Sequence, residues 1–151
     1  QVINHTVNLF ANDVRFADHI DIRTQLLPGV AVRMDAALLR QVFLNLLLNA
    51  AEAIELKGEI TITMHQPAAG SVTVEVRDTG CGIPPENIET IFDPFFTTKP
   101  KGTGLGLSIV HRILESSDGQ LEVTSQPGQG TLFRLIMPAF SIENSRRKAL
   151  S

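Results

Sequence analysis

Asn45 and Asn49 stand four residues apart in "LRQVFLNLLLNAAEAI" (39–54). On a helix that spacing stacks two amide groups on one face. An amide oxygen is a hard ligand for a cation such as magnesium, and it brings no charge to repel a phosphate. In "DTGCGIP" (78–84) a carboxylate, Asp78, is followed at once by Gly80 and Gly82. In "GTGLGLSIV" (102–110), Gly102, Gly104 and Gly106 alternate with Thr103 and Leu105 before an apolar run. Glycines leading into a helix leave backbone N–H groups free to converge on one anion, and the helix dipole adds to the attraction. A glycine-rich turn alone is weak evidence, since a loop before an ordinary helix looks the same. Here it coincides with the two asparagines, the strand-end carboxylate, and Lys99 and Lys101 just upstream. Together they offer a metal ligand, an acceptor for a base and donors for phosphates, which is what a nucleoside triphosphate with magnesium requires.

Elements must hold these groups in place. At about 100° per residue, the apolar side chains of 38–54 cover most of a helix circumference. Gln41, Asn45, Asn49 and Glu52 share a sector roughly 80° wide, with Leu38 at its N-terminal end. A helix so apolar is buried, and its polar stripe faces water or a site. Surface stripes favour Glu, Lys and Arg as better helix formers than Asn, so the site reading is preferred. In "VTVEVRD", Val72, Val74 and Val76 point one way, and the same period puts Asp78 on the valine face. A carboxylate there needs donors. An Asx-turn over Asp-Thr-Gly supplies them locally; a ligand's N–H supplies them otherwise. Both readings stand on the residues alone.

The remaining chain reads as follows. A first helix is predicted over 5–20, with Val7, Phe10, Val14 and Ala17 on its apolar face. A strand over 21–27 ends at Pro28-Gly29. Asp35 caps the long helix, which runs through about Ile54 and is closed by Lys57-Gly58. Strands at 59–66 and 71–78 flank a "PAAG" loop, a short helix lies near 85–91, and a second helix follows over 105–116. "GQLEVTSQ" and "TLFRLIMP" form a closing hairpin around "PGQG". The fold class is α+β: a two-layer α/β sandwich whose mixed, mostly antiparallel sheet of about five strands packs on three helices. Segment 84–104 is too long for an ordinary connection and reads as functional. One domain is expected over 1–140, with a polar tail over 141–151.

Composition narrows the partners. The 151 residues carry a net charge of −3, which leaves no basic footprint for nucleic acid or an anionic membrane. One cysteine, Cys81, precludes an internal disulfide and fits a reducing compartment. The longest apolar run is too short to span a bilayer, and no signal-peptide pattern opens the chain. It begins at Gln1, and a piece of a longer protein is expected.

The joint pattern strongly resembles the catalytic ATP-binding domain of two-component sensor histidine kinases. "LRQVFLNLLLNAAEAI" is similar to the N box, "DTGCGIP" to the G1 box, "FDPFFTTK" (92–99) to the F box and "GTGLGLSIV" to the G2 box. "GQGTLFRLIMP" resembles the closing hairpin, so the likeness covers about 30–140 with the boxes in family order. It implies the Bergerat-type sandwich shared with Hsp90, MutL, gyrase B and anti-sigma-factor kinases. It also implies ATP and Mg2+ as cofactors. Asn49 would hold the magnesium with Asn45 assisting, and Asp78 would accept from the adenine amine. Gly80 and Gly82 would seat the base, and Thr131 would support the Asp78 corner through water. Phe92, Phe95 and Phe96 would anchor a mobile lid over 84–104. Lys99 or Lys101 would reach phosphate oxygens, and the amides of Gly102, Thr103, Gly104, Leu105, Gly106 and Leu107 would cradle them. Ile83 and Thr98 complete the implied nucleotide lining.

The position of Asn45 carries a Glu that activates water in the hydrolysing relatives. An amide takes no proton, so the γ-phosphoryl is expected to be kept for an acceptor. Glu52 stands where many members have a basic residue, which gives Lys99 more weight. The "NAAEAI" form is nearest the nitrogen-regulation (NtrB-like) type. Asp118, where the family usually has His or Asn, is expected to be a turn variant only. None of His5, His19, His65 and His111 sits in an acceptor motif, so the dimerisation and phosphoacceptor helices are expected upstream and a response regulator downstream in the pathway. No catalytic residue of the fragment itself is implied, and it is not expected to phosphorylate itself. The resemblance places the domain in the cytoplasm, within a parent that can be membrane-anchored, without touching membrane or nucleic acid. The competing functions are an ATP-hydrolysing clamp of the Hsp90, MutL or gyrase kind, a stand-alone anti-sigma serine kinase, and a nucleotide-free interaction module.

Overall fold

The computed structural model describes residues 2–13, 17–27, 29–66, 68, 70–93 and 106–141, the side chains of 140 and 141 excepted. Ile3, Val7 and Phe10 recur at helical spacing and are buried, which makes α1 (Val2–Ala11). This helix is shorter than the span predicted over 5–20. Ala17 is exposed, and Ile20 already opens the strand β1 (Ile20–Gln25). The methyl of Ala17 has too little apolar area to hold another turn against the core, while Ile20 buries its side chain in the sheet. Val14 lies outside the described residues.

A short strand, β2 (Val30–Val32), follows, and then α2 (Ala36–Ala53). The Asp35 carboxylate accepts from the amides of Ala37 (2.8 Å) and Leu38 (3.4 Å), capping α2 as expected. The helix ends at Ala53 with Ile54 as its cap, within a residue of the predicted end. Ile54 turns extended, its side chain drops into the core, and Gly58 begins the next strand. Val42, Phe43, Leu46 and Leu47 are wholly buried, but Leu38 and Leu44 lie on the exposed side.

β3 (Gly58–His65) and β4 (Ser71–Asp78) alternate buried and open positions along their length. After β4 the short helix predicted near 85–91 is a single 3-10 turn, Pro85–Asn87, followed by turns up to Phe92. Then come α3 (Gly106–Ser116), β5 (Gln120–Ser125) and β6 (Thr131–Ser141). The six strands form one sheet in the order β1-β3-β4-β6-β2, with β5 also paired to β6. Only β1 and β3 run parallel. β6 is long enough to hold β5 along its first half and β2 near its end. The sixth strand, β2, was not expected: three residues are too few to show an alternating pattern, and its partner lies far along the chain.

α2 is the middle helix, packed between α1 and α3 over the sheet. Its apolar face meets Ile60, Ile62, Val72, Val74, Phe133 and Leu135 in one core. The opposite sheet face carries Arg134 between Glu75 (3.2 Å) and Glu122 (3.3 Å), its neighbours across β4 and β5. Side-chain hydrogen bonds to Glu75 and then Glu122 raise the guanidinium pKa above its ordinary value.

Candidate functional site

The polar stripe of α2 separates into two classes. Gln41 and Glu52 are exposed, while Asn45 and Asn49 are half-buried. Asn45 Nδ2 is a buried side-chain atom with no hydrogen-bond partner among the described residues. A buried donor left unmade costs free energy on the order of 1–3 kcal/mol. One turn beyond Asn49 on the same face stands Ala53, and here the stripe meets the loop after β4. The Ala53 carbonyl accepts from the Cys81 amide at 3.0 Å.

That loop is pinned on every side. Asp78 is 3% exposed on the valine face of β4, as its parity required. Its Oδ1 accepts from the Gly80 amide at 2.8 Å, which is the local Asx-turn. The second carboxylate oxygen belongs to the same buried corner. Thr79 Oγ1 accepts from the Glu59 amide and the Thr79 amide donates to the Glu59 carbonyl. Gly80 and Gly82, expected to give room to a flat base, have that room filled by the protein. A Cβ at Gly80 would lie 2.7 Å from the Ala53 Cβ, and one at Gly82 would strike the Gln126 carbonyl. Gly82 also has φ +77°, which a side chain rarely tolerates. These glycines let the loop lie flat on α2 and on the β5–β6 turn.

Thr131 is directly opposite Asp78 in the β4–β6 ladder and 5% exposed. Its hydroxyl hydrogen-bonds the Ser125 hydroxyl at 2.8 Å. Ser125 also accepts from the Ile83 amide (2.7 Å) and donates to the Gly130 carbonyl (2.9 Å). Sequence reasoning missed this residue. The available signal was parity: Leu121, Val123 and Ser125 share the inner side of β5, so the serine is a hydroxyl where an apolar residue is the norm. A pocket of about 240 Å³ at this end of the sheet is lined by the corner residues Asp78, Ser125 and Thr131 together with Arg77, Gln126 and Leu132, among others.

The start of the predicted lid is held down. Ile91 is in the core, and Phe92 stacks on His111 of α3 with ring centroids 5.5 Å apart and an interplanar angle of 26°. Glu115 approaches the far side of that imidazole at 3.5 Å. Gly106 opens α3 with no described residue beyond its neighbours and its own helix backbone within 4 Å of where a Cβ would be, and no acidic residue stands in the first turn. Phe95, Phe96, Thr98, Lys99, Lys101, Gly102, Thr103, Gly104 and Leu105 lie outside the described residues. So, of the predicted residues, the structure brings together Asn45, Asn49, Asp78, Gly80, Gly82, Ile83 and Thr131 around the junction of α2, the loop after β4 and the closing hairpin. Gly106 and Leu107 start α3, the helix packed beside α2.

A three-helix layer on a mixed sheet, with an asparagine stripe meeting a pinned Asp-Thr-Gly corner, defines a class. Residues 34–141 match the family described as histidine kinase-, DNA gyrase B- and HSP90-like ATPase, and the chain belongs to it. Its relatives are sensor histidine kinases. The chain is 41% identical over 140 residues to sensor histidine kinase ZraS of Escherichia coli, covering 91% of this chain and 29% of ZraS. It is 45% identical over 107 residues to the signal transduction histidine-protein kinase AtoS of Escherichia coli, covering 71% and 18%. Among solved structures, the mycobacterial sensor histidine kinase MprB superposes with a TM-score of 0.82 at 30% identity over 93% of both chains. Full-length ShkA in complex with AMPPNP gives 0.81 at 30% identity, covering 93% of this chain and 30% of ShkA. Histidine kinase ThkA in complex with the response regulator TrrA gives 0.74 at 33% identity, covering 91% and 39%. The chain thus spans under a third of the length of the curated relatives named here.

Proposed function

We propose that this chain is the catalytic domain of a sensor histidine kinase, binding ATP with magnesium and presenting the γ-phosphoryl group to a histidine on a separate dimerisation domain. The observation that carries this reading is the unsatisfied buried amide of Asn45. It sits in the stripe Asn45, Asn49, Ala53, one helical turn per step, and that stripe ends against the Asp78 loop. A folded chain keeps such a donor unpaired at a cost when a ligand is to satisfy it. AMPPNP in the ShkA complex supports the ligand class.

The residues fit the group. Asn49 would hold the magnesium through its amide oxygen, with Asn45 beside it. Magnesium, when bound, neutralises phosphate charge. Asp78 keeps one oxygen on the Gly80 amide, and its buried carboxylate would accept from the base amine. The α3 N-terminus, starting at Gly106, would turn its dipole toward phosphate. Catalysis is then positioning and electrostatic stabilisation, with the nucleophile delivered by the partner domain. Asn45 offers no base for water, so the chain retains the phosphoryl group instead of spending it on hydrolysis. The parent protein passes it on to a response regulator, the kind of partner that ThkA holds in TrrA. The domain works where ATP is, in the cytoplasm. Among the described residues, no helix is long and apolar enough to cross a membrane.

Calorimetric titration with a non-hydrolysable ATP analogue, with and without magnesium, tests the reading in wild type and Asp78→Asn. Asparagine retains an oxygen for the Gly80 amide but turns the other acceptor into a donor. Binding that needs magnesium and weakens about 10–100-fold in the variant is expected, from a lost charge-assisted hydrogen bond. No binding by the wild type would leave an interaction module, and rapid ATP turnover by the chain alone would favour the hydrolysing clamp.

A further inference from the structure

Ser125 has a task that neither the family match nor the site residues above assign. We propose that Ser125 is a positioning residue for the base corner, and that nucleotide selectivity for the base depends on its hydroxyl. The proposal rests on the nucleotide reading of the Asp78 corner given above.

The loop Thr79–Pro84 has no regular secondary structure, so its amides must find individual partners. Gly80 finds the Asp78 carboxylate, and Cys81 finds the Ala53 carbonyl. The Ile83 amide finds Ser125 Oγ at 2.7 Å, across 42 residues of chain. The same oxygen bonds the Gly130 carbonyl (2.9 Å) and the Thr131 hydroxyl (2.8 Å). Thr131 is the residue paired with Asp78, and a Cβ at Gly130 would strike the Asp78 carbonyl. One hydroxyl therefore ties the far end of the loop to the strand start that faces the carboxylate. A second tie runs parallel to it: the Gly128 amide donates to the Cys81 carbonyl at 2.7 Å. This second tie is backbone only, so side-chain substitution leaves it in place and the hairpin stays docked.

The chemistry of the clasp is local to the base. Among the described residues, the hydrogen bonds of Ser125 run to Ile83, Gly130 and Thr131, not to the Asn45–Asn49 stripe or the start of α3, where the reading above would put the phosphates. Its loss should loosen Ile83 and Thr131 on the two flanks of Asp78 without altering the phosphate end. Base recognition and phosphate recognition then separate experimentally.

The test compares Ser125→Ala and Ser125→Thr with wild type in binding AMPPNP, ADP and magnesium tripolyphosphate, which has phosphates but no base. Amide hydrogen exchange at Ile83 is followed without nucleotide. Ser125→Ala should weaken AMPPNP and ADP by the same factor, about tenfold, as one hydrogen bond to a half-buried amide is left unmade. Tripolyphosphate binding should not change. Ile83 should exchange faster in Ser125→Ala, and Ser125→Thr, which restores the hydroxyl, should return both readouts to wild-type values. Unchanged nucleotide binding in Ser125→Ala overturns the proposal, as does an equal loss of tripolyphosphate binding or a threonine variant that restores nothing. A wild-type chain that binds no nucleotide while Ile83 exchange responds as described removes the nucleotide reading, and the base-selectivity proposal with it. An Ile83 amide that exchanges no faster in Ser125→Ala, while the wild type binds nucleotide, overturns the clasp and leaves the nucleotide reading standing.

Discussion

Asn45 illustrates how a single residue can oppose stability while standing in a proposed site. Its amide nitrogen is buried and has no partner among the described residues, and an unmade donor in that setting costs on the order of 1–3 kcal/mol. Replacing it with leucine, of similar volume, removes the donor and its penalty together. Asn45→Leu is expected to raise the stability of the nucleotide-free chain by about 1 kcal/mol, read as the midpoint of denaturant unfolding, while its magnesium-dependent nucleotide binding falls. A variant that is less stable than wild type would mean that the amide is satisfied in solution. Asp78 is the opposite case. Its buried carboxylate is satisfied within its own loop through the Gly80 amide, so the local Asx-turn expected from Asp-Thr-Gly is present.

At the level of elements, helix ends do much of the positioning. Asp35 caps the start of α2, and the carbonyl of Ala53 near its end carries the Cys81 amide, so the helix that bears the asparagines is tied directly to the loop that bears Asp78. α3 ends in a different way. Asp118 takes a left-handed backbone, φ 58°, while the Gly119 amide returns to the Leu114 carbonyl at 2.7 Å. This is a helix stop, in keeping with its expected role as a turn variant. A side chain in that conformation costs about 1–2 kcal/mol, less for Asp than for most. Glycine removes the strain but adds about 0.4–1 kcal/mol of unfolded-chain entropy. The strain outweighs that entropy, so Asp118→Gly should raise Tm by about 1–2 °C, and Asp118→Ala should lower it. Thermal unfolding of the two variants decides, and a fall in both would point to a side-chain role for Asp118.

At the scale of the whole molecule, the four histidines are the useful negative. His111 stacks on Phe92, His5 and His65 are exposed outside any acceptor motif, and His19 sits at the turn before β1. The chain covers 29% of ZraS and 18% of AtoS, which leaves most of those proteins to other domains. With γ-labelled ATP and magnesium, this chain alone should take up no label. Adding the parent protein's histidine-bearing helical domain should place label on that domain, as acid-labile, base-stable phosphate. Label on the catalytic chain itself would refute the division of labour proposed here.

Much of this arrangement was legible in the residues because local periodicities are written in short windows. A 3.6-residue period marked α2, strict alternation marked β3 and β4, and the same alternation turned Asp78 inward before any contact was known. The asparagine pair, the Asp35 cap and the closing hairpin are equally local. What the windows could not hold is what depends on distant partners. β2 exists because the end of β6 is there to pair with it. α1 stops at Ala11 because Ile20 has a better place in the sheet beside Gly58. Gly80 and Gly82 are glycines because α2 and the β5–β6 turn press on them, and a lone glycine cannot say what presses. Ser125 looks like any strand serine until Ile83 arrives from 42 residues away. The sequence by itself determined the elements and the chemical character of the site, since hydropathy period and side-chain chemistry are properties of neighbouring residues. Which described amide lacks a partner and which hydroxyl holds the corner emerged with the packed fold, because satisfaction of a polar group is a property of everything packed around it.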